Sequence, residues 1–307
     1  MENTFQLKVR YYRLSAALEP YFTALYSFTI ETTDPAGVED CLHPEWAAMR
    51  FTAYGTPPQA CVVPDPIGQC PPFVVSGPTS RAIRFRLVTS RLYGLGLRPA
   101  GWARFVGQPA SEMANRIVDG AHSNFASFAP LLDVARELGK DEAATAARMN
   151  ACLEDLLGRT PAISDRIYRI QDGLADPDLQ EVDELAALLG ISRRSLERLF
   201  SRHVGFPPKT MLRRQRFLRS LGRYMLDAGT SWSKALDKHY YDQAHFVRDF
   251  RDFMGMTPSD YAEMRHPILD TIIGQRMFDQ GAMTRPDLPT ILRYAEKPPF
   301  GELGQTN

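Results

Sequence analysis

The sequence predicts a multidomain chain: a β-rich N-terminal part, barrel or sandwich, with helices after it, and an all-α C-terminal part in which a two-helix unit occurs twice, joined by one long helix. Three observations carry this. Apolar residues alternate with polar ones in runs before about residue 107, the period of a half-buried strand. From about Pro109 they recur every three to four residues, the period of a helix. An offset of fifty residues then superposes one stretch of the C-terminal part on another.

A length of 307 residues exceeds what one core usually serves. With 44% hydrophobic and 23% charged residues the composition is that of a globular protein. No apolar run reaches the roughly 18 residues of a membrane span, and MENTFQLKVRYYRL lacks the layout of a signal peptide. The expectation is a cytoplasmic chain with no membrane partner. Cys41, Cys61, Cys70 and Cys152 form no CxxC pair, so free thiols are expected, with no disulfide and no metal site.

Residues 1–107 read as the β-rich domain. Tyr26, Phe28 and Ile30 alternate with polar neighbours, as do Ile83, Phe85 and Leu87 with Arg84 and Arg86. The turns YGTPPQ and PDPIGQCPP separate such runs at the short spacing of an antiparallel sheet. Residues 108–160 read as helical: Ala110, Met113, Ile117 and Val118 would share one face, Leu131, Leu132, Val134, Ala135 and Leu138 another. The stretch DEAATAARMNACLEDLL continues to Leu157, where GRTPAIS supplies a boundary. The all-α domain follows over 161–270, and 271–307 reads as a polar, loosely ordered tail.

In the repeat, Ser192 falls on Asp242, Leu196 on Phe246, Arg198 on Arg248, Phe200 on Phe250, Gly205 on Gly255 and Pro208 on Pro258. Each copy reads as an N-cap, apolar anchors four residues apart, a glycine stop and a proline restart. In the first copy VDELAALLG is a short amphipathic helix, Gly190 turns the chain, and Ser192 caps the next helix. Two helices joined so tightly make a helix-turn-helix. Leu196, Leu199 and Phe200 face inward, leaving Arg193, Arg194, Glu197, Arg198 and Arg202 outward.

In the second copy SWSKALDKH is the positioning helix and DQAHFVRDFRDFMG the outward-reading one, with Gln243, Ala244, Val247 and Arg248 exposed. His245, beside Phe246, is expected to pack. Between the units PPKTMLRRQRFLRSLGRYMLDAG reads as one helix ending at Gly229.

The net charge is zero, but its distribution is not even. Gly190 to Leu226 holds ten Lys or Arg against one acid, Glu197, a local charge of +9. So dense a run should repel itself unless a polyanion covers it. The outward side chains suit duplex DNA. Arginine forks match guanine O6 and N7, glutamate accepts from cytosine N4, glutamine pairs with adenine, and Ala244 and Val247 suit a thymine methyl. A rod of about twenty residues spans about 30 Å, near the ~34 Å of one duplex turn. Ser192, Arg202, Lys209, Arg213 and Arg214 are the candidate phosphate contacts.

At this point residues 164–265 resemble the DNA-binding region of the AraC/XylS regulators. LAALLGISRRSLERLFSRHVGFPPKTMLRRQRF resembles its first unit and YYDQAHFVRDFRDFMGMTPSDYAEMR its C-terminal signature. The resemblance implies base contacts from Arg194, Glu197 and Arg198, and from Gln243, Ala244 and Arg248. It implies packing and turn roles for Tyr240, Phe246, Phe250, Gly255, Pro258 and Tyr261. His239 stands where the family has a turn glycine, Ala244 replaces a common serine, and Trp232 a usual aliphatic residue.

The resemblance further implies that the N-terminal part is a cupin-like regulatory barrel taking a small-molecule effector, with His43, Trp46, Phe51 and Tyr54 as candidate pocket residues. It implies that the adjacent helices form a homodimer. The expected partners are therefore operator DNA, an effector, a second copy and RNA polymerase, in a bacterial cytoplasm at the nucleoid. No cofactor and no catalytic residue are expected. GxSxG, GxxxxGK[ST] and HExxH are all absent from the sequence. The alternatives are a cupin-like metal-dependent enzyme, for which His43 and His122 stand apart, and an interaction module without DNA binding.

Overall fold

A computed structural model describes residues 5–137, 141–226 and 230–279. The first part holds nine strands and then a helix: β1 (Phe5–Tyr12), β2 (Phe22–Thr32), β3 (Val38–Leu42), β4 (Ala47–Gly55), β5 (Gln59–Val62), β6 (Gly68–Gln69), β7 (Phe73–Ser76), β8 (Ile83–Leu87), β9 (Ser90–Leu97) and α1 (Pro99–Phe105). With β10 (Ile117–Asp119) they form two antiparallel sheets, ordered β1-β2-β9-β4-β7-β10 and β3-β8-β5-β6. The alternation read from the sequence holds in β8, where Ile83, Phe85 and Leu87 are buried while Arg84 is exposed and Arg86 half-buried, but not in β2, where Ser27 is buried and Tyr26 half-buried.

Helices follow: α2 (Pro130–Glu137), α3 (Glu142–Arg159), α4 (Asp165–Ala175), α5 (Val182–Leu189), α6 (Arg193–His203), α7 (Pro208–Leu226), α8 (Trp232–Ala235), α9 (Gln243–Met254), α10 (Pro258–Glu263) and α11 (Leu269–Asp279). Caps set several starts: Asp141 accepts from the Ala144 amide and Ser192 from the Ser195 amide.

Two expectations are corrected. Residues 110–118 do not form a helix face; a single 3-10 turn spans Ala110–Glu112, and Ile117 and Val118 pair with Ser76 and Val75 at the sheet edge. Asn115 breaks the helix with φ of 56°, its amide donating to Pro78 O and its side chain accepting from the Ser80 amide. An available strand edge outweighs a helical period that short. The polar tail expected from residue 271 begins instead as α11, against β1 and β3; residues 280–307 lie outside the described residues.

One hydrophobic cluster runs from Leu25, Met49 and Phe51 in the sheets through Trp102, Phe128 and Ile170 to Leu185, Phe200 and Met211 of the first helix-turn-helix. The β-rich part and the first unit therefore share a core. Trp102 sits within it, 2% exposed, its Nε1 donating to Gln108 O at 2.9 Å. Trp102→Ala should cost about 3–5 kcal/mol. Because the core is continuous, scanning calorimetry should show one transition shifted as a whole; separate transitions, with only one moved, would contradict the shared core.

Candidate nucleic-acid interface

The first reading helix is built by local signals. Leu185 and Ala186 of α5 pack inward, Gly190 closes the helix in the left-handed region (φ 63°, ψ 38°), and Ser192 starts α6. Leu196 and Phe200 are fully buried, so Arg194, Glu197, Arg198 and Arg202 project into solvent. Arg193 is exposed too, but its guanidinium lies 3.4 Å from Glu197 and 3.7 Å from Asp183. Such exposed pairs are worth under about 1 kcal/mol and yield readily to a base edge.

In the second unit Phe246, Phe250 and Phe253 fill the core, leaving Gln243, Ala244 and Arg248 exposed and Val247 half-buried. Asp242 caps α9 through the His245 amide, and Gly255 ends it at φ 75°. The positioning helix is shorter than expected: α8 is one turn, because Leu236 leaves helical geometry at ψ 134°. Asp237 then accepts from the His239 amide (3.1 Å) and from Arg219 Nε (2.6 Å), while its own amide donates to Ser220 Oγ (2.8 Å). His239 thus takes the glycine position without a positive φ. Trp232 stacks on Tyr224 with centroids 3.6 Å apart, and His245 packs edge-on to Tyr240, as its neighbourhood suggested.

Between the units α7 runs 19 residues, about 28 Å. The carboxylate of Asp249, fully buried on α9, ties that rod to the second reading helix. Oδ1 accepts from Arg213 Nε (3.0 Å) and Nη2 (2.5 Å), and Oδ2 from the Tyr240 hydroxyl (3.0 Å) and Arg216 Nη2 (3.4 Å). Burial and the neighbouring carboxylate push the Tyr240 hydroxyl well above the usual phenol range, so it stays a donor. Arg213 also holds Asp252 at 2.7 Å.

Two of the expected phosphate contacts are thereby placed elsewhere. Arg213 is occupied by Asp249 and Asp252. Arg214 is 1% exposed: its Nη1 donates to Glu45 O (3.0 Å) and Thr79 O (2.7 Å), and its guanidinium lies 4.3 Å from the Trp46 ring centroid. No carboxylate pairs with it among the described residues, its Nε lacks a hydrogen-bond partner, and burial draws its pKa down to about 9. Ser192 spends its hydroxyl on the cap. Arg202 and Lys209 remain exposed.

The candidate pocket residues fare likewise. Phe51 is core, stacked on Phe73; Tyr54 is 69% exposed; Trp46 faces Arg214; and His43 Nε2 lies 2.7 Å from the Tyr261 hydroxyl. The cavity between the sheets is lined by others, among them Phe28, Arg50, Ser76 and Phe85, with Ile268 and Ile272 from the C-terminal end.

A cluster the sequence reading missed joins Asp40 and Cys41 of β3 to His266. Asp40 Oδ2 accepts from the Ile268 and Leu269 amides (2.9 Å each), and Oδ1 lies 3.0 Å from His266 Nδ1. His266 Nε2 lies 3.3 Å from Tyr261 O, so both ring nitrogens face acceptors. Burial, the largest single influence, opposes the charge, but the hydrogen bonds and charge of Asp40 and Cys41 together outweigh it and raise His266 to about 10. The donors are thus already committed to an ion pair that caps α11.

Residues 185–264 match the family described as "Helix-turn-helix domain". This region therefore carries a helix-turn-helix domain, in which the structure places two such units. With the signature read above, that domain resembles the AraC/XylS type. Over 120 residues the chain is 27% identical to YkgA of Escherichia coli strain K12, named for an inferred role as an HTH-type transcriptional regulator. That alignment covers 39% of this chain and 49% of YkgA, so the chain spans about half the length of its curated relative.

Among solved structures it is similar to an apo variant of ToxT from Vibrio cholerae strain SCE256 (TM-score 0.41, 10% identity, 85% of this chain and 97% of that one). It is also similar to the AraC-like transcriptional activator CuxR (TM-score 0.28, 13% identity, 70% and 86%). Similarity of that order leaves the weight on the geometry above.

Removing the central carboxylate should tell a positioning role from a contact role. Asp249→Ala should cost about 3–5 kcal/mol of stability, because two arginines and a tyrosine lose their buried acceptor. DNA affinity should fall although Asp249 is fully buried; unchanged melting and unchanged binding would sink the assignment. The His266 ion pair has its own signature. Its folded value lies above the ordinary 6.5, so its contribution is complete below about pH 6.5 and fades as pH rises through about 10. The stability gap between wild type and His266→Gln, from denaturant melts, should therefore narrow over that window; a constant gap would contradict it.

Proposed function

We propose that this chain is a sequence-specific DNA-binding transcription regulator whose N-terminal barrel senses a small molecule. The observation that supports it best is the pair of exposed reading faces on α6 and α9, carried by one helix of nearly a duplex turn in length. Arg194, Glu197 and Arg198, with Arg193 after release of its local pairs, read bases in one major groove; Gln243, Ala244, Val247 and Arg248 read the next. Arg202 and Lys209, with Arg251 beside the second face, supply phosphate contacts, and Ser192 presents the helix start to the backbone.

Arg194, Arg198, Arg202, Lys209, Arg248 and Arg251 carry no ion pair among the described residues, which suits cations awaiting a polyanion. The cavity between the sheets is the effector site, and Arg50 and Ser76 are its polar wall. Partners in this reading are operator DNA, the effector, a second copy of the chain and RNA polymerase. The place of action is a bacterial cytoplasm at the nucleoid, and the chain has no catalytic role. No described helix is long and apolar enough to cross a membrane.

Selection from a random DNA pool tests the reading: recovered sequences should share two half-sites about one turn apart, and an unenriched pool would end it. On the selected site Arg198→Ala should cost about 1–3 kcal/mol and relax preference at one or two base pairs. Lys209→Ala should weaken all sequences alike. If all six free cations reach phosphate or base, log K against log salt should fall with a slope up to about −5; a flat line would contradict the electrostatic part.

A further inference from the structure

The cavity between the sheets measures about 60 Å³, well below the ~150 Å³ that admits benzene. Its shortage of room has an identifiable cause. Ile268, fully buried, and Ile272, on the first turn of α11, enter its lining and pack on Phe28, Phe85 and Leu92 from both sheets. The sensing domain is thus filled in part by a segment that follows the second helix-turn-helix in the chain.

That segment is anchored at its first turn. Asp40 takes the Ile268 and Leu269 amides and the His266 ring, and His266 stacks on Tyr261 of α10 with centroids 4.2 Å apart. Tyr261 in turn meets His43 of the barrel. Withdrawing Ile268 and Ile272 from the cavity pulls on a cluster that binds the second unit's end to β3.

On the reading that this cavity is the effector site, we propose that Ile268–Ile272 is an internal plug that competes with the effector. A compact, neutral, apolar molecule takes the volume of the two isoleucines, and its entry releases the C-terminal end of the DNA-binding domain from the barrel. Neutrality follows from Arg50, the one cation in the wall. Glu45, itself half-buried, already holds it at 2.8 Å and Ser76 Oγ lies 3.1 Å away, so an anion would have to displace a carboxylate already in place.

The test uses the full chain and benzene, a compact neutral apolar probe, with binding read by isothermal titration calorimetry. Ile272→Ala should bind it about tenfold or more tighter than wild type, since three carbons of apolar filling are removed. Asp40→Asn, which keeps the filling but weakens the anchor, should also tighten binding. In Ile272→Ala the probe should alter affinity for the selected DNA site. Circular dichroism and DNA binding without probe establish that each variant is folded. Should a variant not fold, Ile268→Val provides a milder opening and should still bind tighter than wild type.

Equal probe affinity in wild type and folded variants would overturn the plug while leaving an open effector cavity standing. Failure of the probe to bind any folded variant would overturn the plug and the effector reading together. Selected-DNA affinity untouched by a bound probe would overturn the coupling.

Discussion

The buried Asp249 carboxylate is the constraint on which the helix-turn-helix module depends. Two arginines on α7 and the Tyr240 hydroxyl converge on it, so the second reading helix has one orientation relative to the rod. A buried charge of this kind adds less stability than an apolar filling of equal size would, because each ion gives up its hydration. What it supplies is directionality. Apolar contacts of Phe217 with Phe246, Phe250 and Phe253 hold the helices together but tolerate sliding, whereas a carboxylate with four donor atoms from three side chains at hydrogen-bond distance does not. For two helices to meet a rigid duplex about one turn apart, freedom from sliding matters more than a further increment of cohesion.

Charge counted along the chain therefore misleads about charge available to a partner. Of the ten cations from Gly190 to Leu226, Arg193, Arg213, Arg216 and Arg219 are paired with Asp183, Asp249, Asp252 and Asp237, acids outside that run, or with Glu197 within it. Arg214 is enclosed and Arg223 donates to Leu236 O. The self-repulsion expected of the run is relieved internally. The cations left open, Arg194, Arg198, Arg202 and Lys209, lie on or just after α6, so the positive surface is narrower and better aimed than the sum suggested.

Legibility followed the range of the interactions. The first helix-turn-helix could be read almost residue by residue, because the inward Leu185, the Gly190 turn, the Ser192 cap and the Leu196 and Phe200 anchors lie within about one helix length of each other. The second unit was read correctly in the extent of its second helix but not in α8, whose early end depends on Ser220 and Arg219, 17 and 18 residues before Asp237 on α7. Contacts across the domain boundary left no local trace. Trp46 beside Arg214, His43 beside Tyr261 and Asp40 beside His266 are more than 160 residues apart, and nothing near any of them announces its partner. At α11 a local signal was overlooked: Ile268, Leu269, Ile272 and Ile273 recur at helical spacing across the boundary drawn at residue 270.

Arg213 and Arg214 are neighbours on one helix and point roughly 100° apart. The first grips the second reading helix through Asp249 and the second reaches the barrel through Glu45 O, Thr79 O and the Trp46 face. The two grips differ in kind. A guanidinium between two carboxylates is compensated charge for charge, whereas one held by carbonyls and an indole face has surrendered hydration without a counter-ion. Parting from the barrel returns hydration to Arg214, which offsets much of what the contact supplied. The joint between the rod and the barrel is therefore the compliant one and the joint between the rod and α9 the stiff one.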